Sequence, residues 1–244
     1  YLHLSIRRQR HMSIRDSDAM KNFVKAVDAS SLEWENVPVT LVEKLESEID
    51  MRPGSISLGL AQNRIREKSF LSKHNFDLAD YRVIHSKSEL DSVNLSLPWI
   101  VKTATLGYDG HGQWLVPNSS HIKSTKENMT GIGPWVVERV VQFEQELSVV
   151  VGLHQNGQTT TYPPTENIHE NSILKLSISP GRMPTKVLRE AQDLATEVVL
   201  RIGEAGVFCV ELFSLINGSL LVNEIAPRPH NSGHHTIDTF SISQ

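Results

Sequence analysis

The sequence predicts an α/β (α+β) fold, built from separate sheets and the helices that cover them. Three features predict it: a strand–helix–strand pattern that begins at Ala79, a long amphipathic helix opened by Pro184, and a hairpin between 207 and 226 turned on Asn217-Gly218. The 244 residues suffice for one large domain or two modest ones. With 39% hydrophobic and 21% charged residues the composition excludes a disordered chain or a coiled coil. A net charge of −4 provides no basic field for nucleic acid or an anionic membrane. Apolar runs such as Val149–Leu153 are too short to span a bilayer. The single cysteine, Cys209, rules out an internal disulfide framework and fits a reducing cytoplasm.

Taken in order, Asp18–Asp28 carries Met20, Phe23, Val24 and Val27 at helical spacing. An extended piece is expected near Ser31–Trp34 and a second helix around Thr40–Ile49. After a turn at Met51–Gly54 a third helix is expected near Leu60–His74, with Arg64 and Lys68 four apart on one face. Tyr81–Ile84, Trp99–Thr103, Trp114–Val116, Trp135–Val140 and Glu146–Leu153 read as strands, with a helical turn at Lys87–Val93. Pro184 opens a helix whose apolar face is Val187, Leu188, Ala191, Leu194, Ala195, Val198, Val199 and Ile202, and Gly203 and Gly206 end it. The chain begins at Tyr1 and stops at Gln244 without a cap or turn, which reads as an internal fragment of a longer product.

The hairpin carries the sharpest inference. If Asn217-Gly218 is a two-residue turn, Ile216 pairs with Ser219, and counting back along both strands pairs Glu211 with Glu224. Directly paired residues share a face, so two carboxylates meet in an otherwise apolar ladder, where like charges repel and lose hydration. A divalent cation such as Mg²⁺, which takes one or two carboxylates plus phosphate oxygens, removes the conflict. The alternatives are a shared proton, or ion pairs with Arg228 or Lys175. Asn223 alternates to the other face in a regular strand.

Gly107-Tyr-Asp-Gly-His-Gly-Gln113 sets three glycines between two strands, where backbone N–H groups can approach phosphates closely. No GxxxxGK[ST] is present, so this is not a P-loop. Lys102, upstream on the strand, is a candidate phosphate cation. After Glu224 comes Ala226-Pro-Arg-Pro-His-Asn-Ser-Gly-His-His235, whose Arg228, His230, Asn231 and Ser232 suit an oxyanion. Zinc held by His230, His234 and His235 is the competing reading, without a thiol or HExxH spacing to support it.

Together these stretches, with ERVVQFEQELSVVV at 138–151, YPPTENIH at 162–169, and VELF and LLVNEIAPRPHNSGHHTID within 210–238, resemble the 5-(carboxyamino)imidazole ribonucleotide synthase family. These are ATP-grasp ligases of purine biosynthesis; ENVP at 35–38 and AQNR at 61–64 match as well. The resemblance implies an ATP-grasp fold with two α/β subdomains clasping nucleotide. Residues 1–55 would be the remnant of an N-terminal domain, and 56–244 the ATP-grasp domain, with a small lid at about 72–141 and a large subdomain at about 142–244. ATP is implied to contact Arg64, Lys102, Gly107, Tyr108, Asp109, Gly110, His111, Gly112, Gln113, Glu138, Arg139, Val140, Val141, Glu146, His169, Asn223 and Glu224. Glu211 and Glu224 are implied as Mg²⁺ ligands. Tyr108, Asp109, Arg228, His230 and Asn231 would hold bicarbonate-derived species and 5-aminoimidazole ribonucleotide. The family also implies a cytoplasmic homodimer, and regions beyond this chain: an N-terminal glycine-rich GQL stretch and a C-terminal domain. The rival readings are a formate-dependent glycinamide ribonucleotide transformylase, whose motif resembles SPRPHDTG, and a catalytically silent ATP/Mg-binding module.

Overall fold

A computed structural model of the chain describes residues 17–107, 111–170 and 172–244. Its first part contains α1 (Ser17–Ala26), β1 (Ala29–Ser30), α2 (Val39–Glu46), β2 (Asp50–Met51), α3 (Ser55–Ala61) and α4 (Arg64–Lys73). β1 and β2 pair in parallel, and Leu32, Val42, Met51 and Leu58 bury a small core beneath them. The extended piece expected at 31–34 therefore lies slightly earlier. The single helix expected over 60–74 is two helices. Asn63 stands between them in an extended conformation, and its side-chain oxygen accepts the N–H groups of Ile65 and Arg66 at 3.0 and 3.2 Å. An asparagine that satisfies orphan donors at a helix start outweighs continuous periodicity. The break leaves Arg64 at the first position of α4, its own N–H donating to Ala104 O at 2.9 Å.

The second part is an antiparallel sheet in the order β3-β6-β4-β5, from β3 (Tyr81–Ile84), β4 (Trp99–Thr103), β5 (Gln113–Val116) and β6 (Trp135–Arg139). A 3₁₀ turn at Lys87–Ser92 and the unanticipated helix α5 (Ile122–Asn128) accompany it. Its core holds Ile84, Leu90, Trp99, Val101, Val116, Met129, Trp135 and Val137. Alternation along β6 buries Val137 in that core, turns Glu138 inward toward the cleft described below, and leaves Arg139 exposed.

The third part has β7 (Gln145–Leu153), β8 (Thr159–Thr161), β9 (Thr165–Glu170), β10 (Ile173–Ile178), α6 (Thr185–Ile202), β11 (Gly206–Ser214), β12 (Leu220–Ala226) and the short α7 (Thr236–Thr239). The sheet order is β10-β9-β7-β11-β12, with β8 also on β7. Val187, Ala191, Ala195, Val198 and Val199 of α6 bury against Val149, Val151, Phe208, Val210 and Leu212, each large apolar side chain contributing roughly 1.5–3 kcal/mol. Gly203, at φ +74°, ends α6 in the left-handed conformation. Leu71 of α4 joins this same core, so α4 belongs structurally with the large sheet. Among the described residues no helix is long and apolar enough to cross a membrane.

The hairpin differs instructively from its expected form. Leu215 N–H donates to Ser219 O at 2.9 Å and Gly218 N–H to Leu215 O at 2.8 Å, with Gly218 at φ +82°. The loop is therefore the three-residue kind, Ile216 to Gly218, rather than a two-residue turn. That shifts the near end by one residue, pairing Ser214 with Leu220 and Leu212 with Val222. A bulge then places Asn223 as an extra residue, and the ladder resumes with Glu211 opposite Glu224. The two irregularities cancel, and the carboxylates meet as expected.

Candidate active site

The hairpin and α4 meet along one cleft. Trp34, Glu35, Asn36, Gln62, Arg64, Thr105, Gly107, Glu224 and Arg228 border it. On the hairpin side each carboxylate already has a cation. Glu224 Oε2 lies 3.1 Å from Arg64 Nη1, and Glu211 Oε1 lies 3.0 Å from His230 Nε2. The side chains of Glu211 and Glu224 are 24% and 37% exposed. The sequence sets them in an apolar ladder where a divalent cation would remove their conflict; protein cations and partial exposure already relieve it. The alternative partners proposed from sequence are elsewhere: Arg228 Nε pairs with Glu35 Oε1 at 2.8 Å, and Lys175 is exposed on β10.

The charges shape one another. Arg64, with Lys102 and Lys68 behind it, holds the Glu224 carboxyl down to about 2 despite burial. Its neighbour on the far side, Glu67, is 1% exposed and is pushed up to about 8 by burial and by Glu224. Glu67 Oε1 accepts the Ile225 N–H at 2.7 Å, fastening α4 to β12. Burial opposes the charge on His230, but the Cys209 sulfur and the Glu211 carboxylate lift it well above the ordinary histidine range. Burial also raises Glu35, against the pull of Arg228.

His230 is fixed from behind. Its Nδ1 meets Ser232 Oγ at 2.8 Å, which meets Ser148 Oγ at 2.7 Å, which in turn accepts from Asn167 Nδ2 at 2.8 Å. Such a buried chain fixes ring orientation. Glu146 on β7 pairs with His169 of β9, and that hydrogen bond raises the His169 pKa. The three histidines proposed for zinc are not gathered. His235 Nδ1 binds Ser232 O at 3.0 Å, and among the described residues no group of three or more His, Cys, Asp or Glu could hold a metal.

Beside the four-stranded sheet, Lys102 of β4 and Lys68 of α4 each lie 3.2 Å from the same oxygen, Glu138 Oε2. Burial penalises the Glu138 charge, yet Lys102, Lys68 and Arg64 outweigh it and keep its pKa low. The Glu138 side chain, expected near the nucleotide base, is thus engaged by two ammonium groups. Of the other expected nucleotide contacts, Arg139 is turned outward and pairs with Asp80 at 3.3 Å, because its place on β6 alternates with Glu138. Val140 N–H donates to Pro98 O and Val141 lies in the segment entering β7. Gly112, at φ +74°, packs so closely on Thr103 that an added Cβ would come within 2.6 Å of Oγ1, and a Cβ at Gly107 would come within 3.6 Å of Arg64 Nη2. The described flanks of the glycine loop therefore close toward Arg64. His111 and Asn231 are exposed, and Gln113 opens β5 opposite Lys102. Tyr108, Asp109 and Gly110 lie outside the described residues.

A resident Mg²⁺ fits what is present. Each facing carboxylate commits one oxygen to a protein cation, and among the described residues no group of three or more His, Cys, Asp or Glu forms a protein-only site. Two carboxylates without a closed cage are the donor set Mg²⁺ shares with nucleotide phosphates. The residues sequence reasoning passed over are Glu35, Gln62, Glu67 and the role of Lys68. Gln62 Nε2 holds the carbonyls of Glu35 and Val37, setting Glu35 toward Arg228. The i, i+4 spacing of Arg64 and Lys68 was the available signal for α4.

Comparison with known proteins supplies the remaining finding. The ATP-grasp domain family matches residues 69–244. The N5-carboxyaminoimidazole ribonucleotide synthase of Bacillus subtilis (strain 168) is 36% identical over 231 residues, covering 94% of this chain and 60% of that protein. A solved ADP complex of an N5-carboxyaminoimidazole ribonucleotide synthetase superposes with a TM-score of 0.89 at 33% identity, over 95% of this chain and 62% of the other. The Aspergillus clavatus enzyme, in complex with ADP and 5-aminoimidazole ribonucleotide, gives a TM-score of 0.82 at 30% identity, over 90% and 58%. The chain spans about three fifths of the length of these relatives.

Proposed function

This chain belongs to the ATP-grasp domain family and has that fold, and from this premise we propose that it is the ATP-binding part of an N5-carboxyaminoimidazole ribonucleotide synthase. In the proposed reaction a bicarbonate oxygen attacks the γ-phosphorus of ATP, ADP leaves, and carboxyphosphate forms. The exocyclic amine of 5-aminoimidazole ribonucleotide then takes the carboxyl group and releases phosphate. One observation carries the proposal: Glu211 and Glu224 face each other on the hairpin, and Glu224 borders the cleft beside Arg64, with the Lys102 charge near enough to act on it.

Mg²⁺, when bound, would neutralise charge on the phosphate oxygens. Glu211 and Glu224 would hold it, with Asn223 beside them on the bulge. Arg64 and Lys102 would orient the phosphates, and the glycine loop at 107–113 would cover them and exclude water from the labile intermediate. Glu138, Val140, Val141, Glu146 and His169 would line the nucleoside end. Tyr108, Asp109, Arg228, His230 and Asn231 would face bicarbonate and the imidazole, with Arg228 set by Glu35. The proposal takes residues 56–244 as the ATP-grasp domain, with lid and large subdomains at about 72–141 and 142–244, and the intact protein as a cytoplasmic homodimer.

The test is ADP release with each substrate withheld in turn. Dependence on both bicarbonate and 5-aminoimidazole ribonucleotide supports the ligase. The partial length favours a second reading, a nucleotide-binding module: ATP with Mg²⁺ would raise the melting temperature while no substrate stimulates ADP formation. Release driven by formate would point to a transformylase instead.

A further inference from the structure

The two lysines on Glu138 differ in one respect that matters. Lys68 is 2% exposed in its side chain, and its ammonium also lies 5.7 Å from the centre of the Tyr81 ring. Lys102 is 13% exposed and stands on β4 opposite Gln113, where the glycine loop rejoins the sheet. Both share Oε2, while Oε1 of Glu138 is buried without a hydrogen-bond partner. One carboxylate oxygen between two ammonium groups leaves a positive charge in excess. In a buried setting that excess is costly until an anion arrives.

We propose that Lys68 is a positioning residue, the resident counter-cation of Glu138, which frees Lys102 to turn from Glu138 to an incoming phosphate. Lys68 is carried by α4, whose Leu71 sits in the core of the large sheet, whereas Glu138 and Lys102 belong to the lid sheet. The Lys68–Glu138 pair therefore also fastens the lid to α4. The other charges facing the cluster come from α4 and β12: Arg64 and Glu224, with Glu67 facing Lys68. Lys102 is held below the ordinary lysine range by burial, with Arg64 and Lys68 adding to the effect against the pull of Glu138. Without Lys68, Lys102 is the ammonium left on Glu138 Oε2 among the described residues, and the pair would close. This inference rests on the proposed nucleotide site for its purpose, though not for its test.

The test reads Lys102 directly, as its acetylation rate in the nucleotide-free chain, quantified by mass spectrometry. Only the free amine reacts, so each unit of pKa change alters the rate about tenfold. Lys68→Met is expected to slow Lys102 labelling by about tenfold, and adding Glu138→Gln is expected to restore the rate to at least that of the unsubstituted chain. Lys68→Arg, which keeps the charge, should label Lys102 at nearly the original rate. If Lys68 only fills space, its charge would not matter; an unchanged rate in Lys68→Met, or a rate in Lys68→Arg as slow as in Lys68→Met, overturns the proposal. Should Lys68→Met fail to fold, Lys68→Gln carries the same expectation and the same refutation. A separate arm asks whether ADP with Mg²⁺ protects Lys102. Its absence would count against the nucleotide reading alone, because the variant rates are measured without nucleotide.

Discussion

The two walls of the cleft have opposite charge imbalances. On the hairpin wall, Glu211 and Glu224 each use one oxygen on one cation, are partly open to solvent, and retain carboxylate oxygens for a metal. On the opposite side, Lys68 of α4 and Lys102 of β4 share one oxygen of a single carboxylate, which leaves positive charge in excess. A magnesium-bound polyphosphate, the proposed ligand, would answer both. The contrast teaches that neither wall is complete alone, and that their sequence signals differ because one is local to a hairpin while the other is assembled from α4, β4 and β6.

The largest expected effect tests the hairpin wall. Glu211→Gln and Glu224→Gln should each weaken magnesium-dependent ATP binding at least about 100-fold, or about 2.7 kcal/mol, read by calorimetry. Equal affinity in either variant breaks the comparison on that side. Lys102→Ala should weaken ATP binding about tenfold with or without Mg²⁺, since a point charge to phosphate is lost rather than a metal ligand. A loss confined to magnesium-containing buffer would place Lys102 with the wrong wall.

Glu67 sits where the two walls join, and its titration sharpens the picture. Its carboxyl is raised in the folded state to about 8, so the unfolded chain releases that proton first as pH rises. Ionisation therefore removes stability progressively from about pH 4.5 to about 8 and has no further effect above. Glu67→Gln, which can still accept the Ile225 N–H, should gain on the order of 1–3 kcal/mol at pH 8 and nearly nothing at pH 4, by denaturant titration. A gain of the same size at both values would mean that packing, not charge, sets the effect. Glu224 acts with opposite sign: held near 2, its contribution is present above about pH 4.5 and fades as pH falls toward 2.

How much of this was legible follows from which interactions are local. The pairing of Glu211 with Glu224 could be counted from Asn217-Gly218, although the count succeeded only because a three-residue loop and the Asn223 bulge offset each other. The apolar stripe of α6 was readable for the same reason, since its period lies within one element. The break at Asn63 was hidden under a pattern that runs through it. β8 to β10 were missed because Thr165, Glu166 and Asn167 are buried polar residues held by partners distant in sequence, among them Arg182 and Ser148. For Lys68 the sequence offered its place on one helix face with Arg64; nothing local reveals that β3, β4 and β6 surround its ammonium.

A smaller effect tests the register itself. Gly218→Ala forces a side chain onto a residue at φ +82°, at a cost of about 1 kcal/mol in a denaturant titration. A neutral result would argue against the three-residue loop that sets the near end of the ladder.

Calorimetric titration of the chain with ATP, run with Mg²⁺ and then with a chelator, probes the divided charge of the cleft most directly. The expected result is tight binding with the metal, marked weakening without it, and a Glu224→Gln variant in which the two affinities coincide. A variant that keeps the full magnesium dependence would contradict the assignment of the hairpin wall as the metal-accepting side.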